Sequence, residues 1–293
     1  MKPFVSIIIP TYQNCNRLRD ALNSVLSQTY NNYEVLIMDD GSTDGTEEMV
    51  NSFKDSRIFY YWNKNSGGPA KPRNRGIKFS KGNWIAFLDS DDSWKPNKLK
   101  MCIQNISEQV DLIYHDLEIV YSSRKIFQRK KARTRKLKKP ILIDLLINDN
   151  LICNSSVMVR KNLLEKVGGI NESKSLVAAE DYNTWLRIAN LTNQFFYLPH
   201  TLGYYLKHND SLSNKNMSIP TKYAIDEFIG ILDNKQKIKL DARIRYISGR
   251  FSYLNFNYGK AKKELLFVLK NGPIVLKVLS LFMIINILIK HKN

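Results

Sequence analysis

The sequence predicts an α/β protein in which helices flank a mostly parallel β-sheet. Residues 5–10 and 34–40 are continuous apolar runs of strand length, a pattern typical of strands that are covered on both faces. Between them, residues 16–28 have apolar side chains at helical spacing, which makes a strand, helix, strand unit. The chain has 293 residues, of which 43% are hydrophobic, so it is long enough for one large domain or for one domain with an appendage.

The elements of this prediction follow in chain order. In the first helix, the apolar residues fall at i, i+3, i+4, i+7 and i+8: Leu18, Ala21, Leu22, Val25 and Leu26. A second helix is predicted after the sequence GSTDGT, with Ser42 or Thr43 as its N-cap residue. Residues 58–62 and 84–89 are predicted as the next two strands, separated by the glycine-rich turn NSGGPAKPRNRG.

Acidic residues end two of the predicted strands. Asp39 and Asp40 end one, and the sequence FLDSDDSW places Asp89, Asp91 and Asp92 within four positions at the end of another. Parallel sheets bind ligands at the carboxyl ends of their strands. Carboxylates this close repel one another, whereas a divalent cation with a substrate phosphate in its shell would stabilise them. The cluster therefore predicts a metal site for a nucleotide diphosphate, with a solvated acidic turn as the alternative.

Five motifs occur in a characteristic order: IIIPTYQN, IMDDGSTDGT, GGPAKPRNRG, FLDSDDSW and AAEDYNTWLRI. Together they resemble the inverting family 2 glycosyltransferases with the GT-A fold, over residues 4–210. The resemblance implies a GT-A nucleotide-diphospho-sugar transferase fold, with a Rossmann-like mixed sheet flanked by helices. It also implies transfer of a hexose or an N-acetylhexosamine from a UDP-sugar to an acceptor hydroxyl. The expected domains are a catalytic domain at 1–215 and a helical C-terminal region at 216–293.

The resemblance assigns the nucleotide-binding residues to three of these motifs. Pro10, Thr11 and Tyr12 would cradle the uracil, with Tyr12 stacking on the base. Asp39 would accept a hydrogen bond from the uracil ring N–H. Arg73 would approach the nucleotide and its phosphates, although Pro72 stands where the family usually has alanine.

The acidic cluster receives its roles from the family's Asp-x-Asp motif. Asp89 would face the ribose and the sugar, and Asp91 would ligate Mn²⁺ or Mg²⁺. Ser90 belongs to the same donor-binding segment, although its side chain would point away. Asp92 would orient the sugar, contact the acceptor or cap the next helix. His208 would reach the metal or the phosphates, with an ordinary surface histidine as the alternative.

A third carboxylate pair resembles the family's catalytic base. An inverting transfer needs a base opposite the leaving group, and Asp181 is the residue expected in that role, with Glu180 supporting it or contacting the acceptor. Acids in the first turn of a helix also interact favourably with its dipole, so a structural role remains open. Trp185 is expected to line the acceptor pocket or to lie in the core.

The net charge of +18 is concentrated in one segment. Residues 124–139 contain ten Lys or Arg and no acid, which leaves +8 on the rest of the chain. Such a run could dock on nucleic acid or on an anionic membrane, or form a solvated hairpin. Nucleic acid is not expected as a partner, because Phe127 is the only aromatic residue between Arg124 and Lys139.

The C-terminal region is predicted to be helical and to end in a membrane-associating tail at about 273–290. Residues 253–269 have the pattern of a helical hairpin. The 17 residues from Pro273 to Ile289 are apolar except for three polar positions, and lysines flank them at both ends. This predicts a helix that lies on the inner face of the membrane, with a buried core helix as the alternative. Such a tail resembles that of family members that extend lipid-linked oligosaccharides, and this resemblance implies a saccharide on polyprenyl diphosphate as the acceptor.

Cysteine usage and the first residues predict a cytoplasmic protein. Together with the C-terminal tail, they predict peripheral attachment to the inner face of the plasma membrane. Cys15, Cys102 and Cys153 have no CxxC spacing, and the N-terminal apolar run is short and has no cleavage site. The alternative enzyme is a sugar-phosphate nucleotidyltransferase, but PTYQNCNRLRD lacks the glycines of that group's loop. A basic protein that binds nucleic acid or membrane without catalysis is the remaining alternative.

Overall fold

The computed structural model describes residues 4–122, 131–132, 134–208, 211 and 214–290. The predicted basic run at 124–139 therefore lies partly outside the described residues. The described residues form a mixed sheet of eight strands in the order β3-β2-β1-β4-β7-β6-β8-β5. The strands are β1 Val5–Thr11, β2 Tyr33–Asp39, β3 Ile58–Trp62, β4 Trp84–Phe87, β5 Ser93–Trp94, β6 Leu112–Tyr121, β7 Met158–Arg160 and β8 Phe195–Lys207.

Helices cover both faces of this sheet, as the apolar strands require. The α-helices are α1 Cys15–Leu26, α2 Thr46–Asn51, α3 Ala70–Phe79, α4 Lys98–Gln104, α5 Ile141–Asn148, α6 Lys161–Lys166, α7 Glu180–Leu191, α8 Ser218–Ile225, α9 Asn234–Leu254, α10 Tyr258–Asn271 and α11 Ile274–Lys290. Helices α1, α2 and α4 pack in the core on one face. Helices α3, α5, α6 and α7 pack in the core on the other face, which α8 and α9 extend.

The first half of the sheet confirms the predicted α/β fold. Strands β1, β2, β3 and β4 are parallel, and every residue of β1, β2 and β4 is buried. This explains their continuous apolar sequences, because a strand with helices on both faces has no solvent side. Strand β3 lies at the edge of the sheet and is only half-buried.

Two predicted details of this half are wrong. Helix α2 begins at Thr46 with Gly45 as its N-cap residue, so neither Ser42 nor Thr43 caps it. The reason is that the Ser42 hydroxyl accepts the N–H of Gln13 instead, and Gly45 takes a left-handed φ of 80°. Strand β4 ends at Phe87, two residues before the predicted end, because the chain then turns.

The second half of the sheet is mixed, and it brings the far end of the catalytic region back to the acidic cluster. Strand β7 is antiparallel to β4 and β6, while the long strand β8 is parallel to β6 and antiparallel to β5. Ser93 pairs with Tyr204, so the chain just after the acids lies beside the end of β8. His208 follows that strand directly.

The C-terminal helices form a hairpin of α9 and α10 and an additional layer. The hairpin spans 234–271, so the predicted bounds of 253–269, which contain mainly α10, are wrong. Helices α9 and α10 pack against each other across a turn at 255–257, and the Nε atom of Arg243 on α9 donates to the carbonyl of Ile147 on α5, 2.7 Å away. Helix α11 packs on α10, where Ile284 and Ile287 bury against Ala261 and Leu265.

Helix α11 is apolar on its outer face as well. Its inner stripe is buried at four positions: Leu276, Ser280, Ile284 and Ile287. Its outer face exposes large side chains to solvent: Ile274, Val275, Val278, Phe282, Ile285 and Ile289. Among the described residues, no helix combines the length and the hydropathy that a bilayer crossing requires.

Candidate active site

The centre of the site is the turn after β4, where Asp89 is held by three partners. Its carboxylate accepts hydrogen bonds from the Arg73 Nη2 atom at 2.7 Å and from the Asn154 Nδ2 atom at 2.8 Å. Its backbone N–H donates to the Ser155 hydroxyl at 3.0 Å. The side chain stays partly exposed, so Asp89 is fixed in place while one side remains open to solvent.

Arg73 lies between this turn and the start of α7. Its side chain is on α3, only 4% of the residue is exposed, and its Nη1 atom donates to the Glu180 carboxylate at 2.6 Å. Burial opposes the charge of Arg73, but the Asp89 and Glu180 carboxylates outweigh burial and raise its pKa. The expectation that Arg73 approaches the nucleotide phosphates stays a prediction, and the structure adds a second role for this side chain. Its guanidinium is occupied by two carboxylates, and it ties Asp89 to Glu180.

Asp91 and His208 meet across 117 sequence positions. The Nε2 atom of His208 lies 3.0 Å from the Oδ2 atom of Asp91. Burial and the neighbouring Asp89 carboxylate raise the pKa of Asp91. A carboxylate oxygen and an imidazole nitrogen are ligands that Mn²⁺ accepts.

These two side chains fit a divalent metal whose shell a substrate completes. The described residues contain no cluster of three or more His, Cys, Asp or Glu arranged for a metal. A site that binds Mn²⁺ or Mg²⁺ through one or two protein groups normally takes its remaining ligands from substrate phosphates and water. The donor set of Asp91 and His208 is of that kind.

Asp92 and Trp185, the two residues predicted to contact the acceptor, are both buried, and for Trp185 this agrees with the alternative that it lies in the core. Asp92 is buried, and its carboxylate accepts the backbone N–H of Leu206 at 3.0 Å, so it ties the acidic turn to β8 and caps no helix. Burial and the neighbouring acids raise its pKa well above the ordinary range. Trp185 is 1% exposed and packs in the core, with its ring 6.2 Å from that of Phe87. Neither side chain is open to an acceptor.

The predicted base is at the first turn of α7. Asp181 is partly exposed, and its Oδ2 atom lies 3.3 Å from the Asn150 Nδ2 atom. Burial and the Glu180 carboxylate raise the pKa of Asp181 to about 7. A carboxylate with that pKa can take a proton near neutral pH. Glu180 is buried, and its Oε1 atom is held by Arg73, so it links the base to the acidic turn.

The carboxyl ends of β1 and β2 carry the residues that were expected to bind the nucleotide. Pro10 and Thr11 are buried, whereas Tyr12 is 52% exposed just beyond the strand, where a ring can stack on a flat ligand. Ser90 belongs to the acidic turn, and its hydroxyl accepts a hydrogen bond from the Asn14 side chain just after β1.

The expected contact of Asp39 with a uracil N–H stays a prediction, and the structure shows which groups of the chain hold this side chain. Asp39 is fully buried: its Oδ1 atom accepts the N–H groups of Gly41 and Ser42, and its Oδ2 atom accepts the Tyr60 hydroxyl at 2.7 Å. The side chain therefore shapes the turn after β2. Asp40 is also buried and accepts two hydrogen bonds from Ser66, which attaches the glycine-rich turn to the strand end.

The sequence prediction missed the segment before β7, which supplies three residues to the site. Asn154 and Ser155 hold Asp89, and Asn150 contacts Asp181. The visible signal is the polar triplet Asn154, Ser155 and Ser156 between apolar stretches, and all three residues are buried. Buried polar groups are hydrogen-bonded, but their partners are known only from the fold.

Comparison with known proteins identifies relatives. Residues 6–168 match the family model of "Glycosyl transferase family 2". An Escherichia coli protein named UDP-Glc:alpha-D-GlcNAc-diphosphoundecaprenol beta-1,3-glucosyltransferase WfgD is 36% identical over 193 residues, which are 64% of this chain and 71% of WfgD. An uncharacterized glycosyltransferase of Rickettsia typhi, RT0329, is 34% identical over 66% of this chain and 61% of its own length. The chain thus spans about three fifths of that relative.

Solved structures show the same fold. The Staphylococcus aureus protein TarS, crystallised with UDP-GlcNAc, superposes with a TM-score of 0.66 at 20% identity and covers 97% of this chain and 89% of its own. A mannosyltransferase of Pyrobaculum calidifontis, PcManGT, in complex with GDP-Man and Mn²⁺, gives a TM-score of 0.60 at 16% identity, over 95% of this chain and 79% of its own. At these identities, the likeness shows the fold and leaves residue roles to the geometry.

Proposed function

This chain belongs to glycosyl transferase family 2, and from that membership we propose that it is an inverting, metal-dependent hexosyltransferase. The donor is a UDP-sugar carrying a hexose or an N-acetylhexosamine. The acceptor is a hydroxyl group of a saccharide carried on polyprenyl diphosphate, in the synthesis of a surface polysaccharide. The name of WfgD states a donor and an acceptor of these classes, which supports the proposal.

One observation carries the assignment of roles. Arg73 donates to Asp89 at 2.7 Å and to Glu180 at 2.6 Å, so a single buried guanidinium joins the acidic turn to the first turn of α7. The expected donor-binding group and the expected base are therefore parts of one rigid hydrogen-bonded unit. Positioning of this kind supplies much of the rate enhancement in a transfer between two bound substrates.

In the proposed reaction, the acceptor oxygen attacks the anomeric carbon of the donor sugar. Its proton passes to the Asp181 carboxylate, and the bond between the anomeric carbon and UDP breaks, with the electron pair leaving on UDP. A pKa of about 7 makes Asp181 a better base than an ordinary carboxylate while still leaving much of it ionised near neutral pH. Mn²⁺ or Mg²⁺ held by Asp91 and His208 would offset the negative charge on the departing diphosphate.

The surface of the C-terminal helices supports attachment to the inner face of the cytoplasmic membrane. The exposed face of α11 is apolar, and Lys260, Lys262, Lys263 and Lys270 on α10 are exposed beside it. Apolar side chains next to lysines are the composition of a helix that lies in the interface of an anionic leaflet. Such attachment would bring the catalytic site to a lipid-linked acceptor.

The proposal is tested by incubating the purified chain with a panel of UDP-sugars and a synthetic lipid diphosphate saccharide, with Mn²⁺ or with EDTA. The wild type should form a product of inverted anomeric configuration only with the metal. Asp181→Asn should bind UDP and fail to form product. Turnover in EDTA, or full activity of Asp181→Asn, would contradict the proposed mechanism, and the absence of product with every donor would contradict the proposed substrates.

A further inference from the structure

A cavity next to Glu180 is not used by the proposed mechanism. It has a volume of about 200 Å³ and lies between the glycine-rich turn at 66–71 and the segment 171–177, with Glu180 in its lining. The two walls are joined by Asn74, whose side chain donates to the Ile170 carbonyl at 2.7 Å and accepts the Ile170 N–H at 2.8 Å. We call this space the acceptor cavity. Its walls are fixed to each other, so it is preformed.

Glu180 has one oxygen that nothing in the described structure satisfies. Its Oε1 atom accepts from Arg73, whereas its buried Oε2 atom has no hydrogen-bond partner among the described residues. A buried carboxylate oxygen without a donor is costly, so a ligand that brings an O–H or N–H group would be stabilised there. Hydroxyl groups on a compact ring, as in a sugar, are donors of the required kind.

Two lysines also line the acceptor cavity. Lys71 and Lys174 come from opposite walls, both are exposed, and neither forms an ion pair with any residue that the structure describes. Flexible ammonium groups on either side of an opening can both contact one phosphate-bearing ligand. A sugar-sized space with an unsatisfied acceptor and two cations beside it matches a sugar joined to a diphosphate.

We propose that the acceptor cavity binds the diphosphate-linked sugar of the acceptor, with a ring hydroxyl donating to Glu180 and the diphosphate contacting Lys71 and Lys174. This inference rests on the proposed function, because it locates the acceptor of that reaction. Glu180 immediately precedes Asp181 in the first turn of α7, so the cavity is lined by the residue next in sequence to the proposed base. Val177, whose Cγ2 atom would be 3.3 Å from a Cβ atom placed on Gly68, narrows the space where the walls meet.

The test measures binding by calorimetry with two probes on the full chain. The first probe is N-acetyl-α-D-glucosaminyl diphosphate on a short alkyl chain, and the second is the neutral methyl N-acetyl-α-D-glucosaminide. Val177→Phe should weaken both probes about tenfold or more, because it fills the space. The double variant Lys71→Ala/Lys174→Ala should weaken the diphosphate probe about tenfold and leave the neutral probe unchanged. The control Lys78→Ala/Lys166→Ala removes two exposed lysines outside the cavity and should change neither.

The outcomes separate this inference from the proposed function. Equal affinity of the wild type and the lysine variant for the diphosphate probe, or no wild-type binding of that probe, overturns the acceptor cavity. If the wild type neither binds UDP nor turns over any UDP-sugar, the proposed function is overturned instead. The lysine variant changes only surface side chains, so it decides the matter even if Val177→Phe fails to fold.

Discussion

The site after β4 and the helix α11 depart from ordinary burial in opposite directions. The site buries charged groups: Arg73, Glu180 and Asp92 are nearly inaccessible to solvent. Helix α11 exposes apolar groups, and Phe282 is 68% exposed. In most soluble proteins, buried charges and large exposed apolar patches are both uncommon. Each departure is costly to the free protein, and each marks a surface that is complete only with a partner.

The comparison shows how a ligand can be inferred from what the chain leaves unsatisfied. The charges of the site are largely satisfied by one another, since Arg73 binds two carboxylates, and what remains is a need for a cation near Asp91 and a proton near Asp181. The apolar side chains on the outer face of α11 are not covered by other described residues, so they remain exposed to solvent. The first pattern supports the proposed small charged substrate, and the second supports the proposed attachment to a lipid surface.

The largest expected effect comes from Asp181→Asn. Removing a general base typically costs 10²–10⁴-fold in rate, so we expect kcat to fall by about 10³-fold while UDP binding is retained. In the wild type, kcat/KM should rise with pH through about 7, because the base must be ionised. The measurement is a pH–rate profile. A profile that is flat between pH 5.5 and 8.5 would show that another group takes the proton.

The raised pKa of Asp181 also predicts how stability depends on pH. Stability should fall as pH rises, whereas activity should increase. The pKa of Asp181 is raised to about 7 in the folded chain from the ordinary value of 3.8. The folded state therefore keeps a proton that the unfolded state has lost, and this contribution to stability falls as pH rises from about 4 to about 7. Asp181→Asn should raise the thermal midpoint at pH 8 by about 2 °C or more and have little effect at pH 4. A lower midpoint at pH 8 would contradict the assigned environment.

The next prediction concerns the stability of an Arg73 variant. Removing one partner from a buried ion pair typically costs 3–5 kcal/mol, and Arg73→Ala leaves the Glu180 and Asp89 carboxylates without it. We expect a loss of about 4 kcal/mol in the free energy of unfolding, measured by urea denaturation. The matched control is Arg57→Ala, because Arg57 is in a more exposed pair with Asp55 and such pairs contribute about 1 kcal/mol or less. Equal losses would remove the distinction between buried and exposed charge.

A further prediction tests whether Asp91 and His208 are the metal ligands. Asp91→Ala and His208→Ala should each raise the Mn²⁺ concentration needed for half-maximal activity by about tenfold or more, since loss of one ligand of a small set weakens binding strongly. Arg75→Ala is a useful control, because its guanidinium donates to the Asp39 carbonyl and lies outside the proposed metal ligands. An unchanged Mn²⁺ requirement in both ligand variants would place the metal elsewhere.

The smallest expected effect concerns α11. Phe282→Glu should lower partitioning to vesicles that contain anionic lipid by about tenfold or more, because burying a Phe side chain contributes about 2 kcal/mol. Leu191→Glu is the matched control, since Leu191 is 54% exposed at the end of α7. Co-sedimentation with vesicles measures both. If the two variants behave alike, the exposed face of α11 is not the contact with lipid.

The fold could be predicted from the sequence more completely than the contacts within the site. Strands β1 and β2 were predictable because a strand buried on both faces has a continuous apolar sequence, which is a local property. The partners of Asp39 and Arg73 were not predictable, because they depend on Tyr60 and on Glu180, far away in the chain. Motif resemblance selected carboxylates that the fold brings close together, but it could not show which of them the fold uses internally. Asn154 was missed for the same reason.

The pairing of Asp91 with His208 has a consequence for how the protein is made. The two residues are separated by 117 positions, and His208 reaches Asp91 only because β8 runs the full length of β6 and ends beside the acidic turn. A chain still emerging from the ribosome has its first four parallel strands long before it has this histidine. In the proposed function both groups hold the metal, so a nascent chain that has not passed residue 208 lacks one of the two proposed ligands.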